Sequence, residues 1–160
     1  IEEPLGQLEV RGVGGTTLSE AWADRPISWM GVAMPGFPNM FLMVGPNSGL
    51  GHNSIIFMIE SQLNHVVPAL RRIVQGDVVE LDLKPSALEA FRAEVDRRSQ
   101  HTVWSSGCDS WYVDEQGRNY TLWPASTAEY RLRMARFDES AYRVTRRRDV
   151  PAREPVTQPA

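Results

Sequence analysis

The chain has 160 residues, of which 42% are hydrophobic and 23% charged, so it is long enough for one globular domain with a substantial core. Its net charge of -3 excludes the basic composition typical of nucleic-acid-binding proteins. No apolar run reaches the length of a membrane span, and no signal segment opens the chain.

The first elements along the chain are short. Alternating apolar and charged residues predict a strand at Leu8–Arg11, and the glycines of Gly12–Gly15 predict a tight turn after it. A short helical turn is predicted over Thr17–Trp22, with Thr17 or Ser19 as its N-cap.

The central segment predicts a strand, a glycine-rich loop and a helix in that order. An apolar run at Phe41–Val44 indicates a buried strand, and apolar residues at helical spacing from Asn53 to about Val74 indicate a long helix. Pro68 lies inside this helix and predicts a kink or a break near Val67. In α/β proteins this order places a nucleotide or flavin against backbone N–H groups.

The second half of the chain predicts a mixed α and β region. Val78–Leu83 alternates apolar and acidic residues, as a half-exposed strand does, and Pro85 suits the first turn of a helix. Aromatic clusters on both sides of Gln116–Asn119 indicate a hairpin. A last amphipathic helix with a capping box is predicted over Ser126–Phe137, and a disordered tail from Pro151.

Cysteine and histidine content limits the chemistry further. The single cysteine, Cys108, excludes an internal disulfide and favours a reducing compartment, so we expect a cytoplasmic protein in which this thiol is buried and inert. The three histidines, His52, His65 and His101, show no zinc-site spacing with it, so no metal site is predicted. The basic run at Arg146–Arg148 is interpreted as part of a solvated tail, without nucleic acid or membrane as a partner.

The glycine-rich loop leaves two interpretations open. Gly49–Ser54 approximates a dinucleotide fingerprint with Ser54 in place of the third glycine, and a helix N-terminus there offers unsatisfied N–H groups to a ligand. The alternative is an ordinary connection whose glycines only make turns. His52 is either a base or, as is more common near a helix start, a packing or capping residue.

Three segments in the centre of the chain carry a family resemblance: Gly36–Leu42, Gly45–Asn47 and Leu50–Gln62. With the looser flanking motifs Cys108–Tyr112 and Gly117–Asn119, they closely resemble the C-terminal part of FAD- and NADPH-dependent monooxygenases. The nearest type is the Baeyer–Villiger group, including its 4-hydroxyacetophenone-monooxygenase-like members. The resemblance covers about residues 8 to 137.

The resemblance implies an α/β fold in which this chain supplies the last strand and helix of the FAD domain and a small α+β cap. The expected parts are residues 1–77 in the FAD-binding domain, 78–150 in the C-terminal cap and 151–160 in a disordered tail. The helix N-terminus then points at the pyrimidine edge of the flavin, where an anion develops on reduction. The residues expected to line the cofactor are Gly45, Asn47, Gly51, His52, Asn53 and Ser54.

The resemblance further implies that Trp111 and Asn119 lie near the NADP and substrate pocket. Related enzymes carry a Gly-Lys pair after the turn, and this chain has Gly117–Arg118 instead, which weakens the parallel at that contact. No residue of this chain is expected to act as a catalytic acid or base. All the expected functional residues position cofactors.

The implied reaction is NADPH-driven, O2-dependent oxygenation of an organic substrate, with oxygen inserted beside a ketone. The chain lacks both dinucleotide fingerprints and begins at Ile1, so we expect a fragment that is inactive alone and prone to self-association where the missing N-terminal portion would cover it. Two alternatives stay open. One is a flavin monooxygenase that oxygenates nitrogen or sulfur, and the other is a non-enzymatic α/β interaction module.

Overall fold

The structure is a computed structural model that describes residues 9–50, 54–100, 112–114 and 116–150. In chain order the helices and strands of these ranges are α1 (Leu18–Ala21), α2 (Ile55–Val74), β1 (Val78–Leu83), α3 (Pro85–Ser99), α4 (Thr127–Arg133) and β2 (Tyr142–Arg146). Short 3-10 turns lie at Val13–Gly15, Glu139–Ala141 and Arg147–Asp149. The mixture of helix and strand confirms the predicted α/β class.

Strand β1 pairs with β2 in an antiparallel two-stranded sheet. The register shifts between Val78 and Glu80, so Val78 is buried whereas Val79 is exposed. The predicted strand is confirmed, but its predicted half-exposed alternation is wrong, because Asp82 is also buried. Its carboxylate accepts a hydrogen bond from the Gly36 N–H at 2.8 Å and pairs with Arg143 of β2 at 2.8 Å. The sequence patterns did not predict β2.

Helix α2 is the longest element and packs against α4 and β1. Its buried face includes Met58, His65 and Val66. The helix is continuous through Pro68, so of the predicted kink or break near Val67 the break is wrong and the kink stays a prediction. Pro68 has no N–H to donate to the carbonyl of Asn64, four residues earlier. Asn64 is exposed, so water can bond that carbonyl.

The predicted strand at Phe41–Val44 is wrong, because no strand is assigned to it in the described chain. Leu42 donates a backbone hydrogen bond to the Val32 carbonyl at 2.8 Å. The apolar run ends at Val44, which has a φ of +58° and donates its N–H to the Gln62 side chain. Upstream, Leu8 lies outside the described residues, and the predicted strand there is reduced to a single bridge between Arg11 and Thr17.

Three predicted helix starts are confirmed, whereas the predicted start of α2 at about Asn53 lies outside the described residues and the described helix begins at Ile55. Thr17 caps α1 in a reciprocal capping box with Glu20, Pro85 opens α3, and the Ser126 side chain caps α4. Helix α4 ends at Arg133, earlier than the predicted Phe137.

The predicted hairpin near Gln116–Asn119 appears as one antiparallel bridge between Val113 and Asn119. The division at residues 77 and 78 stays a prediction, and the predicted tail 151–160 lies outside the described residues. Over the described ranges, none of the helices combines the length and apolar character that a membrane crossing requires.

Candidate functional site

The glycine-rich loop begins on a buried hydrogen-bond chain. The Val44 N–H donates to Gln62 Oε1 of α2 at 2.9 Å, and Gln62 Nε2 donates to the Tyr130 hydroxyl of α4 at 2.8 Å. That hydroxyl donates in turn to the Met30 carbonyl at 2.5 Å. Burial raises the pKa of Tyr130, which keeps the hydroxyl protonated as a donor. Helices α2 and α4 therefore fix where the loop starts.

Two glycines allow the loop to lie close against the preceding chain. Gly31 has a φ of +70°, and a Cβ there would lie 2.4 Å from the Ser48 Cβ. A Cβ on Gly45 would lie 2.7 Å from the Gly31 carbonyl oxygen, which accepts the Gly45 N–H at 3.0 Å. Ser28 also donates its hydroxyl to the Pro46 carbonyl at 3.1 Å. This side of the loop has no room for side chains at either glycine.

The other side of the loop is hydrogen-bonded to the backbone of residues 120–123. Asn47 donates its N–H to the Tyr120 carbonyl at 3.1 Å. Gly49 donates to the Thr121 carbonyl at 2.9 Å and accepts from the Trp123 N–H at 3.0 Å. The loop is therefore packed against the preceding chain on one side and hydrogen-bonded to residues 120–123 on the other.

Two residues that the sequence predicts for different pockets meet in this interface. Asn47 Nδ2 donates to the Asn119 carbonyl at 3.0 Å. Both side chains are buried, Asn47 at 0% and Asn119 at 8% exposure. Their side chains make hydrogen bonds that join the loop to the 119–122 turn, so the geometry suits residues that shape the loop. Their predicted places in the cofactor and NADP pockets stay predictions.

The N-terminus of α2 lies just beyond the loop. Ser54 is the N-cap, the first turn contains no acidic residue, and Ile55 and Ile56 are 40% and 64% exposed. A helix N-terminus carries roughly half a positive charge, and no carboxylate of its own first turn offsets it here. The predicted site residues Gly51, His52 and Asn53 lie outside the described residues, as do Trp111 and Cys108.

The guanidinium of Arg118 is occupied within the protein. It pairs with Asp114 at 2.7 Å and with Asp24 at 3.0 Å, and it also donates to the Asp24 carbonyl and to Gln116. These contacts fasten the turn after Val113 to the N-terminal part of the chain. In this geometry Arg118 is a structural residue.

A separate cavity of about 660 Å³ lies between α3 and the segment that precedes β2. Its walls include Trp29, Lys84 and Arg133, and none of the described residues of the predicted cofactor set lines it. The described ranges contain no cluster of His, Cys, Asp and Glu side chains that could hold a metal ion.

The sequence analysis missed the role of Gln62 and Tyr130 in holding the loop. A signal for Gln62 was present, since Met58, Gln62 and Val66 follow one another at intervals of four, which places the glutamine on the buried face of α2. The partner of that glutamine on α4, 68 residues away, has no comparable local signal.

The chain is similar in sequence to known monooxygenases. It is 44% identical over 145 residues to a Baeyer–Villiger monooxygenase of Streptomyces coelicolor, and 39% identical over 145 residues to one of Pseudomonas aeruginosa. Each match covers 89% of this chain, and the chain spans 28% of the length of each relative. No protein-family profile matches the chain.

The fold is shared with solved monooxygenases. A steroid monooxygenase bound to NADP has a TM-score of 0.77 and 26% identity, over 89% of this chain and 27% of that one. A complex of OTEMO with FAD and NADP has a TM-score of 0.73 and 23% identity, over 84% of this chain and 25% of that one, and shows the fold. In sequence and in fold, the chain is therefore similar to a C-terminal portion of the Baeyer–Villiger-type flavoprotein monooxygenases.

Proposed function

We propose that this chain forms the C-terminal part of an FAD- and NADPH-dependent monooxygenase that inserts oxygen beside a ketone. The observation that carries the proposal is the constrained loop that leads into α2, in a chain 39–44% identical to Baeyer–Villiger monooxygenases. A ketone, O2 and NADPH with one proton would give an ester or lactone, NADP⁺ and water. The named relatives favour this reaction over oxygenation of nitrogen or sulfur. The single cysteine supports a cytoplasmic location.

In this proposal the residues of the chain bind and orient the cofactor. The flavin, when bound, supplies the redox chemistry. The N-terminus of α2 at Ser54 would face its pyrimidine edge and stabilise negative charge there. Gly45 and Asn47 would set the position of the loop, while Gly51, His52 and Asn53 would complete the cofactor-facing turn. Trp111 and Asn119 are proposed for the NADP and substrate side.

An apolar stripe on α2 supports the view that the rest of an enzyme covers this helix. The stripe consists of exposed residues spaced along one side of the helix, Ile56, Leu63, Val67, Leu70 and Val74. Their exposed fractions run from 36% to 84%, and a row of exposed apolar side chains on one side of a helix is typical of an interaction site. We propose that the N-terminal portion of the monooxygenase packs on it.

The test is expression of the chain together with its upstream coding segment. The proposal expects a yellow protein with a flavin absorbance spectrum, which oxidises NADPH faster in the presence of a ketone and yields an ester or lactone. An N-oxide or sulfoxide as the oxygenated product would support the alternative monooxygenase. A colourless protein with no such upstream segment would support a non-enzymatic module and overturn the proposal.

A further inference from the structure

We propose that Asn47 and Asn119 act together as a positioning pair, in which the 119–123 segment fixes the position of the flavin-facing loop. The inference rests on the proposed function, and it adds a specific role for two side chains. Asn47 and Asn119 are 72 positions apart in sequence and are joined directly by the bond from Asn47 Nδ2 to the Asn119 carbonyl.

Asn119 shapes the 119–123 segment, here called the wall, against which the loop lies. Its Oδ1 accepts the N–H groups of Thr121 at 3.2 Å and of Leu122 at 2.9 Å. Its Nδ2 donates to the Leu122 carbonyl at 2.8 Å and to the Ser99 hydroxyl at 3.1 Å, at the end of α3. One carboxamide therefore folds the 119–122 turn and fastens it to a helix. All four of its hydrogen-bonding positions are occupied by protein groups, so its part on the NADP and substrate side is to place the turn and not to bond a ligand through this carboxamide.

Asn47 bonds the loop directly to the wall, so the position of the loop depends on that of the wall. Its backbone has a φ of +62°, a conformation that Asn and Gly adopt more readily than other residues. Its N–H and its Nδ2 bond two consecutive carbonyls of the wall, those of Tyr120 and Asn119. Gly49 then adds a bond in each direction two residues later. A shift of the turn would therefore carry the loop with it.

A substitution at Asn47 can change the position of the loop with little effect on the stability of the fold. Its Oδ1 is buried and has no hydrogen-bond partner among the residues that the structure describes, and an unmet buried acceptor is unfavourable. Asn47→Gly keeps the left-handed backbone, removes the Nδ2 bond and removes the unmet acceptor as well. The two effects on stability oppose each other, so the folded protein should survive the change.

Asn39 provides a control that matches Asn47 in residue type and backbone conformation, although Asn39 is exposed and Asn47 is buried. It is also an asparagine with positive φ, +59°, and its carboxamide also bonds backbone groups. Those groups are the Val79 carbonyl and the Leu81 N–H of β1, away from the loop. Asn39→Gly therefore removes the same kind of bond without touching the loop or its wall.

The experiment compares Asn47→Gly, Asn119→Ala and Asn39→Gly in the flavin-containing protein with its upstream segment. The measurements are the hydrogen exchange of peptides that cover 45–50 and 119–123, the dissociation constant of FAD, and kcat and KM for NADPH. We expect the first two variants to exchange faster at both peptides and to lose about ten- to a hundredfold in FAD affinity or kcat, since small misplacements of a site are costly. Asn39→Gly should leave the hydrogen exchange of both peptides, the FAD dissociation constant, kcat and KM unchanged.

Each outcome separates the two proposals. Faster exchange at both peptides with unchanged FAD affinity and kcat would overturn the positioning role while leaving the proposed function intact. Unchanged exchange in both loop variants would overturn the coupling itself. A change of the same size in Asn39→Gly would reduce the effect to general destabilisation and overturn the pairing. An unsubstituted protein that binds no flavin would overturn the proposed function, and the positioning role with it.

Discussion

Gly31 and Gly36 have nearly the same backbone conformation but very different surroundings. Their φ angles are +70° and +78°, yet a Cβ on Gly31 would lie 2.4 Å from Ser48, while a Cβ on Gly36 would meet nothing within 4 Å. We expect Gly36→Ala to lower the free energy of unfolding by about 1 kcal/mol through backbone strain alone. Gly31→Ala should cost about 3 kcal/mol or more, because overpacking adds to the strain. Urea unfolding of both variants measures the difference, and equal losses would contradict the close packing beneath the loop.

His65 gives a second prediction for a single residue, since burial lowers its pKa to about 4 from 6.5. The Arg136 backbone and the charge of Asp138 oppose this shift without reversing it. Between pH 6.5 and 4 the unfolded chain binds a proton at this position that the folded chain does not, so stability falls as pH falls through this window. The loss is about 1.4 kcal/mol per pH unit and about 3 kcal/mol in total.

The measurement is urea unfolding at several pH values for the wild-type chain and for His65→Gln. The variant keeps a polar side chain beside the Tyr142 hydroxyl, which lies 3.1 Å from His65 Nε2, but it has no proton to bind. The other histidines are common to both proteins, so the difference between the two pH profiles isolates His65. Parallel profiles would show that this imidazole titrates normally.

Helices α3 and α4 are joined by a ring of ion pairs. Glu94 pairs with Arg98 at 2.8 Å and with Arg133 at 2.6 Å, and Glu129 pairs with the same two arginines at 2.9 Å. The hydrogen bond from Arg133 holds the pKa of Glu94 below its usual range, despite the opposing effect of burial. The ring also explains why Glu129 does not complete the predicted capping box, since its carboxylate bonds Arg98.

We expect Glu94→Gln to lower the free energy of unfolding by about 1 kcal/mol at low salt, with a smaller loss in 1 M NaCl, because the ring is partly solvated and screened. Glu89→Gln is the control, since Glu89 makes only an exposed 3.8 Å contact with Arg92 on the same helix. Thermal unfolding at the two salt concentrations measures both variants. A salt-independent loss at Glu94 would assign its role to packing.

Local patterns predicted the elements whose stabilising contacts are local. The starts of α1, α3 and α4 follow from Thr17, Pro85 and Ser126, because caps and an early proline act within one turn. The supposed strand at Phe41–Val44 and the overlooked β2 depend on partners far along the chain, which periodicity does not reveal. The same holds for the site. Glycine spacing located the loop, but the meeting of Asn47 with Asn119 required the fold.

At the scale of the whole molecule, the apolar stripe on α2 should make the isolated chain self-associate. Leu70 belongs to the stripe and is 42% exposed, whereas Leu132 is 78% exposed but lies on α4. Leu70→Glu should shift the sedimentation profile towards the monomer, and Leu132→Glu should not. Attaching the upstream segment should have the same effect as Leu70→Glu. A chain that is monomeric at all concentrations would show that the stripe does not drive association.

The bonds between the loop and the 119–123 segment have a consequence for biosynthesis. A ribosome releases residues 45–49 long before it releases the carbonyls and N–H groups that those residues bond. Contacts of such sequence separation form late, because closing a long chain segment is entropically costly. The nascent loop can meet the preceding chain early, but its bonds to the 119–123 segment must wait until translation has passed Trp123, and ribosomes halted before that codon should carry a loop that proteases cut more readily.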